Sequence, residues 1–179
     1  MIFMLKGPFL SKDFIGAVEC WHDAKVVMMG MPYDGTVTNR PGTRFAQQQI
    51  RSESIGIETY SPIFDKDLED CKFYDAGDLE LPFGNAQKAL DIIKENTLEI
   101  YDSGRKILGI GGEHLVTLAE IQAINEYIEN LAVIQFDAHT DLREEYLGEN
   151  LTHSGVMKQI AKIIGFENIA QIGIRSGEK

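Results

Sequence analysis

The sequence predicts an α/β fold of three layers, with helices on both faces of a mainly parallel sheet. Two observations carry this prediction. Short runs that are apolar at consecutive positions, as strands covered on both faces require, alternate with segments of helical period. Strand then helix, repeated, is the pattern of parallel strands joined by right-handed crossovers. At 179 residues, with no internal repeat, linker or low-complexity tract, residues 1–179 read as a single domain.

In chain order, the first strand is KVVMMGMP (25–32), followed by a short helix after RPGTRF, around residues 43–52. GIETYSP (56–62) is a weaker strand candidate, and KFYDAGDL (72–79) a strong one. Residues 86–103 place Leu90, Ile93, Thr97, Ile100 and Tyr101 on one helical face and stop at Gly104. KILGIGG (106–112) is a strand. Residues 115–129 form a helix with Leu118, Ile121, Ile124 and Ile128 on one face. LAVIQFDA (131–138) is a strand, residues 154–164 a helix ending before Gly165, and NIAQIGIR (168–175) the last strand.

A formal net charge of -11 argues against nucleic-acid or anionic-membrane partners, which need clustered Lys and Arg, and leaves room for a small cation or a metal. Cys20 and Cys71 stand alone, without a metal or disulfide spacing, and read as reduced thiols. The opening MIFMLKGPFL is apolar but lacks a basic first segment and a cleavage site, and no apolar run approaches the roughly 18 residues that span a bilayer. The cytoplasm is the expected location.

Ligands of open parallel sheets collect beyond the carboxyl ends of the strands. KILGIGG delivers Glu113 and His114 there, and LAVIQF delivers Asp137, His139 and Asp141. On an extended chain, positions two apart share a face, so these last three side chains are expected to project together. Converging carboxylates and imidazoles are stable around a cation. A carboxylate-rich set without cysteine suits Mn²⁺ or a similar oxygen-loving ion better than a structural zinc. Two such ions sharing Asp137, each holding one histidine, would clamp a hydroxide as nucleophile. His153 follows in a polar loop, and an imidazole there suits proton transfer to a leaving amine. Plainer readings exist for each feature: a turn with local hydrogen bonds for DAHTD, a strand-to-helix turn for GGEH, a helix N-cap neighbour for His153. His22, in ECWHDAK, reads as an exposed structural residue.

These segments together resemble the ureohydrolase family of arginases and agmatinases. GMPYDGTVTNRPGTRFAQQQIR (30–51), GGEH (111–114), DAHTD (137–141) and then HSGVM with IGIRS match its blocks in order. The resemblance implies an arginase-like fold and hydrolysis of a guanidinium group with two Mn²⁺ ions. His114, Asp137 and Asp141 would bind one ion, and His139 with Asp137 the other. Asp141 would also accept a proton from the bridging hydroxide, and His153 would be the proton shuttle. Arg40 and Arg44 would be structural, holding their loop. The implied substrate is a small cationic guanidino compound and the implied assembly a homo-oligomer. DLREEYLGENLTHS (141–154) resembles agmatinase loops and has Leu142-Arg143 where arginases place an asparagine for an α-carboxylate. Agmatine is the expected substrate, with a guanidino acid and a non-catalytic, metal-binding fragment as the alternatives.

The chain also departs from the family pattern. The third metal motif, Ser-x-Asp-x-Asp, and the glutamate that receives the guanidinium do not occur, so only four of the six implied metal ligands are present. The resemblance covers the first three-fifths of such an enzyme, and the fold is expected to be incomplete at its C-terminal end. Two further strands of the family lie between its third and fourth, so two inner sheet edges are expected to be unpaired, with uncovered apolar faces. KFYDAGD and KILGIGG are expected not to pair, at three strand spacings or ~14 Å.

Overall fold

The computed structural model describes residues 14–178, so the apolar opening segment lies outside the described residues. Among the described residues a 3₁₀ turn (Trp21–Asp23) precedes the first strand, β1 (Val26–Met31), which is followed by a second 3₁₀ turn (Thr43–Phe45) that leads into α1 (Ala46–Ser54). A hairpin of two short strands, β2 (Tyr60–Ser61) and β3 (Lys66–Asp67), precedes β4 (Phe73–Asp78) and α2 (Ala86–Asp102). Then come β5 (Lys106–Gly111), α3 (Val116–Ile124), β6 (Val133–Phe136), a 3₁₀ turn (His153–Gly155), α4 (Val156–Ile164) and β7 (Ile169–Ile172).

The predicted parallel sheet is present in two parts. β1 is central, pairing in parallel with β4 on one side and β5 on the other, while β6 and β7 form a separate parallel pair. Alternation along β1 sets the layers. Val27, Met29 and Met31 point into the core cluster with Ile93 and Ile100 of α2, Leu118 of α3 and Ile160 of α4. The opposite face receives α1, whose Arg51 is buried against Asp75 and Asp78 of β4. α2 starts at an Asn85 cap whose side chain accepts from the Lys88 N–H, satisfying one of the orphan donors of the first turn.

β5 and β6 are not paired with each other, and the apolar side chains at this break stand in solvent. Leu108 of β5 is 51% exposed, Ile134 of β6 64% and Phe136 78%. Two open inner edges are therefore present, but they belong to β5 and β6 and not to the expected gap between KFYDAGD and KILGIGG. KFYDAGD and KILGIGG do not pair either, but the expected three spacings are corrected to two, because β1 lies between them. GIETYSP is also corrected: only Tyr60–Ser61 is extended, paired antiparallel with Lys66–Asp67 outside the main sheet. Ile57 at 57% and Tyr60 at 50% exposure bury too little to hold a sheet position. The helix expected over 115–129 closes at Ile124, and residues 125–127 continue as turns. No helix among the described residues is long and apolar enough to cross a membrane.

Candidate metal centre

The site is built where β5 and β6 end. After β5 the backbone turns sharply against the segment that follows β1: Gly112 N–H donates to the Met31 carbonyl at 2.9 Å and Glu113 N–H to that of Tyr33 at 2.7 Å. A methyl group at Gly112 would run into the Tyr33 backbone, so glycine is required for the close approach that aims His114 across the strand ends.

DAHTD is fixed from two sides. Asp137 N–H donates to Ile172 O at 3.0 Å, Thr140 N–H to Ser176 O at 3.2 Å, and both Arg175 and Ser176 N–H to Ala138 O, so the loop extends the β6–β7 pairing. At its far end, Asp141 O accepts from Met157 N–H at 3.0 Å in the first turn of α4. The expected alternation of Asp137, His139 and Asp141 breaks down in between. His139 N–H folds back to donate to Asp137 Oδ1 at 2.8 Å, and Asp141 is left-handed with φ 48°.

The consequence is a tight group and an outlier. One ligand atom each from His114, Asp137 and Asp141 lie within 4.8 Å of one another. His114 Nδ1 is 2.7 Å from Asp141 Oδ2 and 3.7 Å from Asp137 Oδ2. His139 stays outside this group, its side chain 64% exposed, and meets only the other carboxylate oxygen, with Nδ1 3.4 Å from Asp137 Oδ1. Asp137 therefore stands between two imidazoles, one on each oxygen. Burial raises its carboxyl pKa, but hydrogen bonds from the His139 N–H and the Gln135 amide, with His114 nearby, outweigh burial and hold it below the ordinary aspartate range. It is an anion ready to take a cation. The donor set of nitrogen and carboxylate oxygen, free of sulfur, fits a metal of the manganese type.

A cavity of about 810 Å³ opens beside this group, with His139, Asp141, Arg143, Tyr146, His153 and Glu178 on its wall. Arg143 is engaged there, paired with Glu178 at 2.5 Å and lying over the Tyr146 ring. Arg44 pairs with Asp34, whose Oδ2 accepts from Gly42 N–H at 2.7 Å, in keeping with a loop-holding role; Arg40 is exposed with φ 49°. His22, Cys20 and Cys71 are exposed, away from the site.

Three polar residues stand beside the site: Glu113, which the sequence places at the end of β5 without a role, and Thr36 and Gln135, which it does not single out. Glu113 is 5% exposed and accepts from both the N–H and the hydroxyl of Thr36, which in turn meets His153. Burial raises the Glu113 carboxyl above its ordinary range, against the Thr36 hydrogen bonds and the His153 charge, which lower it. Gln135 takes a hydrogen bond from Gln171 and passes one to Asp137. A polar residue inside an apolar strand, as Gln135 is in VIQF, is the signal that could have found it.

The chain belongs to the arginase family, whose model matches residues 24–179. It is 48% identical over 171 residues to an agmatinase of Bacillus subtilis, an alignment covering 96% of this chain and 59% of the relative. It is 36% identical over 157 residues to a proclavaminate amidinohydrolase of Streptomyces clavuligerus, covering 84% and 49%. Among solved structures it superposes on agmatine ureohydrolase of Thermoplasma volcanium with a TM-score of 0.87 at 28% identity, covering 95% of this chain and 57% of the other. The chain thus spans less than three-fifths of the length of these relatives.

Proposed function

We propose that the chain carries the metal-binding side of an agmatinase-like ureohydrolase, which converts agmatine and water to putrescine and urea. The observation that carries this proposal is Asp137, placed between His114 and His139 with Asp141 against the first of them. His114, Asp137 and Asp141 would hold one Mn²⁺ ion, and Asp137 with His139 the other. The ions, when bound, would supply a water acidic enough to lose a proton at neutral pH and so become a nucleophile toward the guanidinium carbon. Asp141 takes a proton from that water, and its left-handed backbone, tied to α4, keeps the carboxylate at the cavity wall. His153, on the same wall, delivers a proton to the departing amine. A cytoplasmic location, a place in putrescine formation and assembly into a homo-oligomer belong to the same proposal.

The main competing substrate is a guanidino acid, supported by the amidinohydrolase relative and by Arg143 on the cavity wall. Arg143 is already paired with Glu178, so a substrate carboxylate would have to displace that partner. Agmatine has no carboxylate and meets no such competition.

The test is urea release with Mn²⁺ from agmatine and from 4-guanidinobutyrate. Residues 1–179 alone are expected to release none above a metal-only control, because four side-chain ligands are too few for two ions of five or six coordination. A fusion that adds the remaining two-fifths of the Bacillus subtilis agmatinase is expected to release urea from agmatine. Robust, chelator-sensitive urea from the short chain would refute the dependence on further ligands, and a fusion active only on 4-guanidinobutyrate would replace agmatine as the substrate.

A further inference from the structure

We propose that Thr36, held by Glu113, fixes the His153 imidazole as its Nδ1–H tautomer, so that Nε2 is the atom through which His153 takes up and releases protons. The proposal rests on His153 as the proton carrier and adds which ring nitrogen acts and what selects it. Three segments remote in sequence meet here: the loop after β1, the turn between β5 and α3, and the 3₁₀ turn before α4. Thr36 and Glu113 lie 77 residues apart, and Thr36 and His153 lie 117 apart.

The selection follows from counting hydrogens. A threonine hydroxyl has one proton to donate and two lone pairs to accept with. The Thr36 backbone N–H donates to Glu113 Oε2 at 2.9 Å, and its hydroxyl donates to Glu113 Oε1 at 2.5 Å, the short distance expected of a hydrogen bond to a carboxylate. With Glu113 ionised, as it is at the alkaline pH of the experiment below, the single hydroxyl proton is committed. Thr36 Oγ1 then accepts from the His153 backbone N–H at 3.0 Å and faces His153 Nδ1 at 3.4 Å. With no second proton on the oxygen, the ring contact is favourable only when Nδ1 carries the hydrogen. That leaves the lone pair on Nε2, which has no hydrogen-bond partner among the described residues.

The consequence for the reaction is that one nitrogen does both steps. Nε2 takes a proton from solvent in the cavity and gives it to the departing amine nitrogen, while Nδ1–H stays on Thr36 throughout. The ring does not have to rotate or exchange tautomers between uptake and delivery. Thr36 and Glu113 are positioning residues, because they act through His153.

The experiment is ¹⁵N NMR of the histidine-labelled 179-residue chain, at a pH alkaline enough to keep imidazoles neutral. His153 is assigned by its loss in His153→Gln. The expected spectrum has a proton-bearing Nδ1 and an unprotonated Nε2 for His153. Thr36→Ser, which keeps the hydroxyl, retains this pattern, and Thr36→Val loses it in favour of the Nε2–H form that a free histidine side chain prefers. Glu113→Gln decides the matter should the valine variant fail to fold. A glutamine has one acceptor oxygen for two Thr36 donors, so its amide NH₂ turns to the hydroxyl, which then donates to Nδ1 and switches the ring to Nε2–H. An Nε2–H ring in the wild-type chain, or an unchanged tautomer in Glu113→Gln, would overturn the proposal. Neither readout involves turnover, so failure here is distinct from failure of the agmatine assignment.

Discussion

Replacing Asp137 with alanine is expected to abolish Mn²⁺ binding while leaving the chain folded. Each Asp137 oxygen faces a different imidazole, at 3.7 Å for His114 and 3.4 Å for His139, so its loss removes the carboxylate common to both ion positions. Even partners one shell away from a metal typically cost about 10- to 100-fold in affinity, and a shared ligand costs more. The side chain is 25% exposed and lies beyond the end of β6, so truncation opens no core cavity. His139→Ala is expected to be milder, because the group of His114, Asp137 and Asp141 survives it. Elemental analysis after dialysis, with a denaturation curve on the same samples, separates the two effects. An alanine variant that retained its manganese would remove Asp137 from the site.

The largest expected effect on stability is at Arg51, far from the cavity. Its guanidinium meets Asp75 with two hydrogen bonds, at 2.7 and 2.9 Å, and Asp78 with a third, and all three side chains are at most 7% exposed. Gly30 of β1 belongs to the same arrangement, since a methyl group there would occupy the position of the Asp78 carboxylate. Arg51→Met leaves two buried carboxylates without their cation, a loss of about 3–5 kcal/mol. That is a large share of the roughly 5–15 kcal/mol that holds a domain together. Arg51→Lys is expected to recover only part, because a single ammonium cannot serve a two-oxygen contact and a second carboxylate at once. Urea denaturation checks both variants, and a shift below about 1 kcal/mol in Arg51→Met would mean that the network is solvated.

The parts legible in sequence are those in which one local signal has one structural answer. Consecutive apolar residues in KVVMMGMP and KILGIGG read as strands and both are, although only β1 is covered on both faces, while β5 leaves Leu108 in solvent. The grouping of His114, Asp137 and Asp141 was legible because ligand-type side chains followed strands that had no use for them. The rest depended on distance along the chain or on backbone detail. Nothing near Thr36 indicates that it meets a carboxylate 77 residues on and an imidazole 117 residues on. Nothing in the local sequence around Arg51 indicates that it is buried, and only the fold reveals that Asp75 and Asp78 stand opposite it. His139 departs from the expected grouping because the Asp137 side chain captures its N–H, which strict alternation does not foresee. The separation of KFYDAGD from KILGIGG was expected for the wrong reason, since β1 fills the space between them and the open edges belong to β5 and β6.

The experiment that bears hardest on the metal assignment is a Mn²⁺ titration of the ¹⁵N-labelled chain, read as paramagnetic broadening of backbone amides. At less than one equivalent, the amides of His114, Asp137, His139 and Asp141 and their immediate neighbours are expected to disappear first, the His139 N–H included because it sits on the Asp137 carboxylate, and those of the exposed 144–149 loop last. Broadening that began in that acidic loop, or spread evenly over the carboxylates of this chain of net charge -11, would mean that the cluster at the ends of β5 and β6 does not select a metal.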